Sequence, residues 1–137
     1  MNNYVFRLTK SQDLKKEIES FVKEKNIEAG IIKCAVGCVY EVNFRLAEAK
    51  EVFHKKANYE IVSIMGTVSV NGCHIHASFA DNKGNVIGGH LKDGCLVDTA
   101  AEICIESFNN YVFDRRFDEK TGYKELIVNK SGEKHGL

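Results

Sequence analysis

Gly72-Cys-His-Ile-His-Ala-Ser-Phe-Ala-Asp-Asn-Lys-Gly-Asn-Val-Ile-Gly-Gly-His90 reads as two extended segments around a tight turn. Residues two apart on a strand share a face, so His74, His76 and Ser78 point one way and Cys73, Ile75, Ala77 and Phe79 the other. A three-residue loop, Asn82-Lys83-Gly84, places glycine where the chain must turn left-handed. It pairs Asp81 with Asn85. Phe79, Ala77 and Ile75 then face Ile87, Gly89 and Leu91 on the apolar side. On the polar side Ser78 faces Gly88, His74 faces Lys92, and His76 faces His90. A slip of one residue would set Ile75 against His90 and turn a strand inside out, so the apolar pattern selects this register.

Opposed Cβ atoms in such a ladder lie ~5 Å apart and same-face neighbours ~7 Å apart. Imidazoles at those separations can rotate to meet one ion at ~2.1 Å. His74, His76 and His90 are therefore the candidate metal ligands, and with no fourth protein group a coordination position stays open. The expected cofactor is a divalent ion. Zinc comes first, while nickel, copper and iron accept the same ligands. Small Ser78 and Gly88 leave room beside the trio for a ligand or a neighbouring subunit. His54 is expected to be structural and without a partner, and His135 to be inert in a tail.

The 137-residue chain suits one domain, and 44% apolar with 28% charged residues is the balance of a soluble globular protein. Nineteen basic residues match nineteen acidic ones, whereas a chain that grips nucleic-acid phosphates usually carries a basic surplus. The pairs Lys55-Lys56 and Arg115-Arg116 read as solvated charges. No apolar run approaches the ~20 residues of a membrane span, and the first ten residues lack the features of a signal peptide. Five cysteines (34, 38, 73, 95 and 104), an odd number without zinc-knuckle spacing, read as small, buried, reduced thiols. A cytoplasmic location is expected.

Around the hairpin, Tyr4–Leu8 alternates as a short strand. Thr9-Lys-Ser-Gln12 fits a capping box, and Leu14, Ile18, Phe21 and Val22 behind it recur at helical spacing. This amphipathic helix should end near Asn26 and cover one face of a sheet. Strands are expected at Gly30–Tyr40 (with a bulge at Gly37), Val42–Leu46, Glu51–His54 and Tyr59–Val70. The last should carry Val62, Ile64, Val68 and Val70 on one face, then turn through two residues at Asn71-Gly72. Val97–Phe108 suits strand or helix, and strand is preferred. Asp118–Gly122 turns Tyr111–Phe117 into Tyr123–Val128. The fold class is α+β: a single domain, with a large, mainly antiparallel sheet and one long amphipathic helix packed on it. Residues 3–128 form the domain and 129–137 a mobile tail.

The chain resembles the PPC family (the plants and prokaryotes conserved domain), in its stand-alone prokaryotic type. The resemblance rests on Tyr4-Val-Phe-Arg-Leu8 before a capped helix, on Tyr59-Glu-Ile-Val-Ser-Ile-Met-Gly66, on His74-Ile-His76, and most specifically on Asp81–Leu91. It implies an α+β fold, a homotrimer, and a metal site at the three histidines. Plant relatives contact DNA through a separate Arg-Gly-Arg-Pro hook, which a chain without proline cannot contain. Their Gly-Arg-Phe-Glu partner segment corresponds to Ala57-Asn58-Tyr59-Glu60, without the arginine.

Three functions are compatible with these readings. The first is a metal-binding trimer with a regulatory or ligand-sensing role, its small ligand unidentified. The second is a metal-dependent hydrolase or lyase in which bound water is acidified to a pKa of ~7. Glu60, Asp98 and Glu102 are candidate proton carriers only as carboxylates on neighbouring strands, where surface charge is their ordinary role, and no catalytic residue is assigned. The third, association with DNA, rests on the plant branch alone. A cupin-like oxygenase would need an acidic ligand soon after His-x-His, and Asp81 is committed to the turn.

Overall fold

The computed structural model describes residues 1–132. Among these the chain runs β1 (Asn2–Thr9), α1 (Leu14–Glu24), β2 (Gly30–Arg45), β3 (Val52–Val68), β4 (His74–Ala80), β5 (Val86–Leu91), β6 (Leu96–Ser107), β7 (Tyr111–Asp118) and β8 (Tyr123–Lys130).

Leu14, Ile18 and Val22 are buried along one stripe of α1, and Phe21 at its edge stacks on Phe6 with ring centroids 3.9 Å apart. The helix spans 11 residues, about three turns, so it is short rather than long. Both its ends are specified. The N-cap is Asp13 rather than the expected Thr9: Asp13 Oδ1 accepts from the Lys16 amide, and Oδ2 from the distant Gly94 amide at 2.7 Å. Gln12 does reach back to the Thr9 amide, but that contact closes a turn ahead of the helix. At the far end Asn26 adopts a left-handed φ of 50°. The Asn26 amide donates to the Lys23 carbonyl and the Ile27 amide to the Val22 carbonyl, the double bond pattern that stops a helix at a left-handed residue.

Six strands form one sheet in the order β1-β6-β2-β3-β4-β5, and β2 also pairs with β5. Strands β2 to β5 thus close on themselves. The segments expected as separate strands at 30–40 and 42–46 are one bent strand, β2, and those at 51–54 and 59–70 are one strand, β3. Bulges let a strand bend without breaking its ladder, and register shifts occur at Gly37/Cys38 and Val39/Glu41. Another, between Ile61 and Ser63, turns Val62 outward to 54% exposure while Ile61 and Ile64 point in. Val62 therefore does not share a face with Ile64 and Val68, contrary to the expectation from the sequence. Val70 lies beyond the end of β3.

The link from β3 to β4 is five residues long, not a two-residue turn. Its Ser69 Oγ and Asn71 Nδ2 both donate to the Phe113 carbonyl. They tie down β7–β8, a separate two-stranded sheet, whose Phe113 amide also donates to the Glu28 carbonyl. Strand β6 settles the ambiguous segment as β. Strand β8 runs to Lys130, two residues past the expected domain boundary, so Asn129 and Lys130 are not tail. Residues 133–137, including His135, lie outside the described residues.

The core gathers Leu8, Val39, Phe44, Ile75, Phe79, Leu91, Ile103 and Ile105 with the α1 stripe. All five cysteines are free thiols, but Cys95 alone is buried and Cys34 is exposed. The expectation that all five are core residues therefore fails. No helix among the described residues is long and apolar enough to cross a membrane.

Candidate metal centre

Strands β4 and β5 pair in the register that the apolar alternation selects: His76 opposite His90, Ala77 opposite Gly89, Ser78 opposite Gly88 and Phe79 opposite Ile87. Gly84 takes a φ of +82°, and Asp81 Oδ1 accepts from the Lys83 and Asn85 amides at 2.9 Å. Those bonds commit Asp81 to the turn and hold its carboxyl below the usual carboxylate value. On the apolar side Ile75, Ala77 and Phe79 are buried, and on the other His74 and His76 are exposed.

The three imidazoles converge. One ligand atom from each of His74, His76 and His90 lies within 4.8 Å of the others. His74 Nε2 and His76 Nε2 are 3.2 Å apart, close to the ~3.3 Å edge of a tetrahedron with metal–nitrogen bonds of ~2.05 Å. His90 Nδ1 is buried without a hydrogen-bond partner among the described residues, a polar atom whose desolvation is otherwise uncompensated. Burial and then the neighbouring Arg45 push the His90 pKa down to about 4. Burial, then His76, also lower that of His74. Neutral imidazole is the form that ligates a metal. These donors therefore fit a divalent ion: they would supply three nitrogens and leave a position for water or a ligand.

The surroundings were not legible from local spacing. Closure of the β2–β5 ring sets Arg45 directly opposite His90. Gly89 makes this approach possible, because a Cβ there would meet the Arg45 carbonyl at 2.7 Å. The Arg45 guanidinium lies 5.6 Å from the Tyr123 ring centroid, and its Nε is buried and unpartnered. From the β7–β8 hairpin, Arg115 Nη2 donates to Thr67 Oγ1 at 2.9 Å. Thr67 in turn stands opposite His74. Arg115 is thus not the solvated charge expected of it. The signal was present but faint: Arg115 shares strand parity with buried Phe113, an inward place for a cation.

A cavity of about 370 Å³ lies between this hairpin and the sheet, bordered by Arg45, His74, His90, Arg115, Tyr123 and Glu125 among others. Two further hollows, of about 530 and 460 Å³, also reach the histidines. The three carboxylates weighed as proton carriers do not border these spaces. Glu60 pairs with Ala80, four residues along β4 from His76. Asp98 lies 3.9 Å from Lys10 Nζ. Glu102 stands opposite Arg7 and Val36. The carboxylates that do border them are Glu125, in the cavity of about 370 Å³, and Glu48, in the hollow of about 530 Å³ beside His76 and His90; sequence reasoning missed both. His54 is not unpartnered either: its Nε2 lies 2.7 Å from Glu41 Oε2.

Fold and site together define a small β-rich domain with an open three-imidazole centre on its sheet. The chain belongs to the Plants and Prokaryotes Conserved (PCC) domain family, whose model matches residues 1–109. It is 38% identical over 130 residues to the bifunctional protein GlmU of a Synechococcus strain, covering 95% of this chain and 21% of that protein. The chain thus spans about one fifth of the length of that curated relative. Among solved structures it resembles a hypothetical protein from Salmonella (28% identity, TM-score 0.91, 95% and 94% of the two chains covered). It also resembles the metal-containing protein AF0104 from Archaeoglobus fulgidus (32%, 0.76, 93% and 94%). A Bacteroides thetaiotaomicron protein provisionally named DNA-binding shares the fold at 22% identity (0.83, 92% and 91%).

Proposed function

We propose that the protein is a cytoplasmic metal-binding module that assembles as a homotrimer and uses the open position of a zinc centre to sense or bind a small ligand. The observation that carries this reading is the convergence of His74, His76 and His90 ligand atoms to within 4.8 Å on one face. The Archaeoglobus relative, described as metal-containing, supports it. So does the long GlmU relative, in which a domain like this one makes up about a fifth of the chain, as suits a module that can be appended to another. Support for assembly comes from the surface opposite the core, where Val5 is 77% and Met65 69% exposed, alongside Val36 and Val62. Large apolar side chains left exposed, where they gather into a patch, mark interaction sites.

The test is metal analysis of protein purified without added metal or chelator. About one zinc per chain is expected, lost in His76→Ala. A metal-free protein whose unfolding midpoint ignores chelator would sink the reading.

A second reading, a metal-dependent hydrolase or lyase, draws on Glu125. It borders the same cavity as His74 and His90, and such chemistry wants a proton carrier within hydrogen-bond reach. Turnover of an ester or lyase substrate that vanishes in both His76→Ala and Glu125→Gln would favour it. Balanced charge argues against duplex DNA as a partner, since gripping its phosphates usually takes a basic surplus.

A further inference from the structure

The family match ends at residue 109, yet one wall of the cavity beside the histidines comes from β7–β8, which follows it. Tyr123, Lys124 and Glu125 line the space from β8, and Arg115 from β7. Arg45 lines it from the sheet. Three cationic side chains and one carboxylate therefore surround a centre that would itself carry a divalent cation.

Neither arginine is neutralised among the described residues. Arg115 spends one nitrogen on the Thr67 hydroxyl. Arg45 leans on the Tyr123 ring, with Nε buried and unpaired among the described residues. The ion pairs among the described residues join Lys10 to Asp98, Lys15 to Glu19 and Asp93, Lys33 to Glu106, and His54 to Glu41. None involves either arginine. A buried guanidinium nitrogen without an acceptor, as Arg45 Nε is among the described residues, is costly unless a partner arrives. Planar guanidinium forks match carboxylates in paired hydrogen bonds, and carboxylate oxygen is also an ordinary zinc ligand. At about 370 Å³ the space falls at the lower end of the ~300–1,000 Å³ typical of small-molecule sites, more than an inorganic anion would fill.

We infer that the chamber between the β7–β8 hairpin and the histidine face binds a small organic acid, its carboxylate shared between the open metal position and the guanidiniums of Arg45 and Arg115. The inference rests on the metal-centre reading and deepens it. Glu125 is the lone negative group in the wall and selects against bulkier polyanions, while leaving an acceptor for a ligand hydroxyl.

Malonate serves as the probe, titrated calorimetrically into zinc-loaded protein, with the neutral analogue malonamide and inorganic phosphate in parallel. Metal content is measured on each sample. Wild type is expected to bind malonate at least ~10-fold more tightly than malonamide or phosphate. Arg45→Gln and Arg115→Gln should each weaken malonate ~10-fold or more with zinc content unchanged, since each removes a charge-assisted pair. Lys83→Gln, a charge change in the remote β4–β5 turn, should leave binding unaltered. If Arg115→Gln unseats the hairpin, seen as a changed circular dichroism spectrum, Arg45→Gln carries the comparison alone. Protein that holds zinc but ignores malonate, or binds it equally in the arginine variants, overturns the inference and leaves the metal centre standing. Equal affinity for phosphate overturns the choice of an organic acid. Failure to hold zinc at all overturns the metal-centre reading, and this one with it.

Discussion

Single side chains set the shape of the histidine hairpin, and Asp81 shows how. Its carboxylate accepts two backbone amides across the turn, and its pKa is lowered by them. A carboxyl with a depressed folded pKa stabilises the fold above its ordinary value of 3.8, and that stability is lost as pH falls through the folded value. Urea unfolding of metal-free protein should therefore show a midpoint that drops from about pH 4 downward. In Asp81→Asn that share of the drop should be absent; an identical pH profile in the variant would contradict the role. Asp13 has a comparable position, holding the Lys16 and Gly94 amides with its two oxygens. Asp13→Ala should cost about 1–2 kcal/mol by chemical denaturation, at or above the usual loss of a helix cap.

Among the elements, the register of the β4–β5 hairpin was readable because its information is local, although the ladder stops at His76–His90 and does not extend to the expected Ile75–Leu91 and His74–Lys92 pairs. Alternation, a three-residue loop and a glycine at the left-handed position leave one register that keeps Ile75, Ala77 and Phe79 inside. The helix stripe was equally plain. Its cap was not: Thr9 and Gln12 satisfy the local pattern, while the amide of Gly94, 81 residues away, helps to hold Asp13 as the cap. Bulges were the other blind spot. Gly37 was a visible candidate, but the shift between Ile61 and Ser63 has no glycine to announce it, and it parted Val62 from the face of Ile64 and Val68. The β7–β8 hairpin is joined to the rest largely by Ser69, Asn71, Glu28 and Thr67 contacts. Asn71→Ala removes one of them. Faster hydrogen exchange in 111–130, with the β2–β6 amides unchanged, is the expected outcome. Uniform exchange would show the hairpin to be held by other contacts.

At the scale of the whole molecule, metal and assembly should each alter stability. On the proposed reading zinc would bind the folded centre and not the dispersed histidines. A hundredfold excess over its dissociation constant should therefore raise unfolding free energy by about 2.7 kcal/mol, and His90→Ala should abolish the gain. The exposed apolar side chains opposite the core give a parallel test. Val5→Glu, at a position 77% exposed in the single chain, should reduce the assembly mass by light scattering while leaving the circular dichroism spectrum unchanged. An unchanged mass would remove that face from the interface.

Residue order alone determined the α+β class, the histidine face and its register, because strand alternation and turn chemistry act over a few neighbours. What stands around those histidines was decided by chain closure. Arg45 reaches His90 only when β2 bends to meet β5, and Arg115 reaches Thr67 only when a separate hairpin docks. Contacts between residues so far apart leave no period in a sequence. They depend on how the sheet closes and which backbone groups remain to be paired.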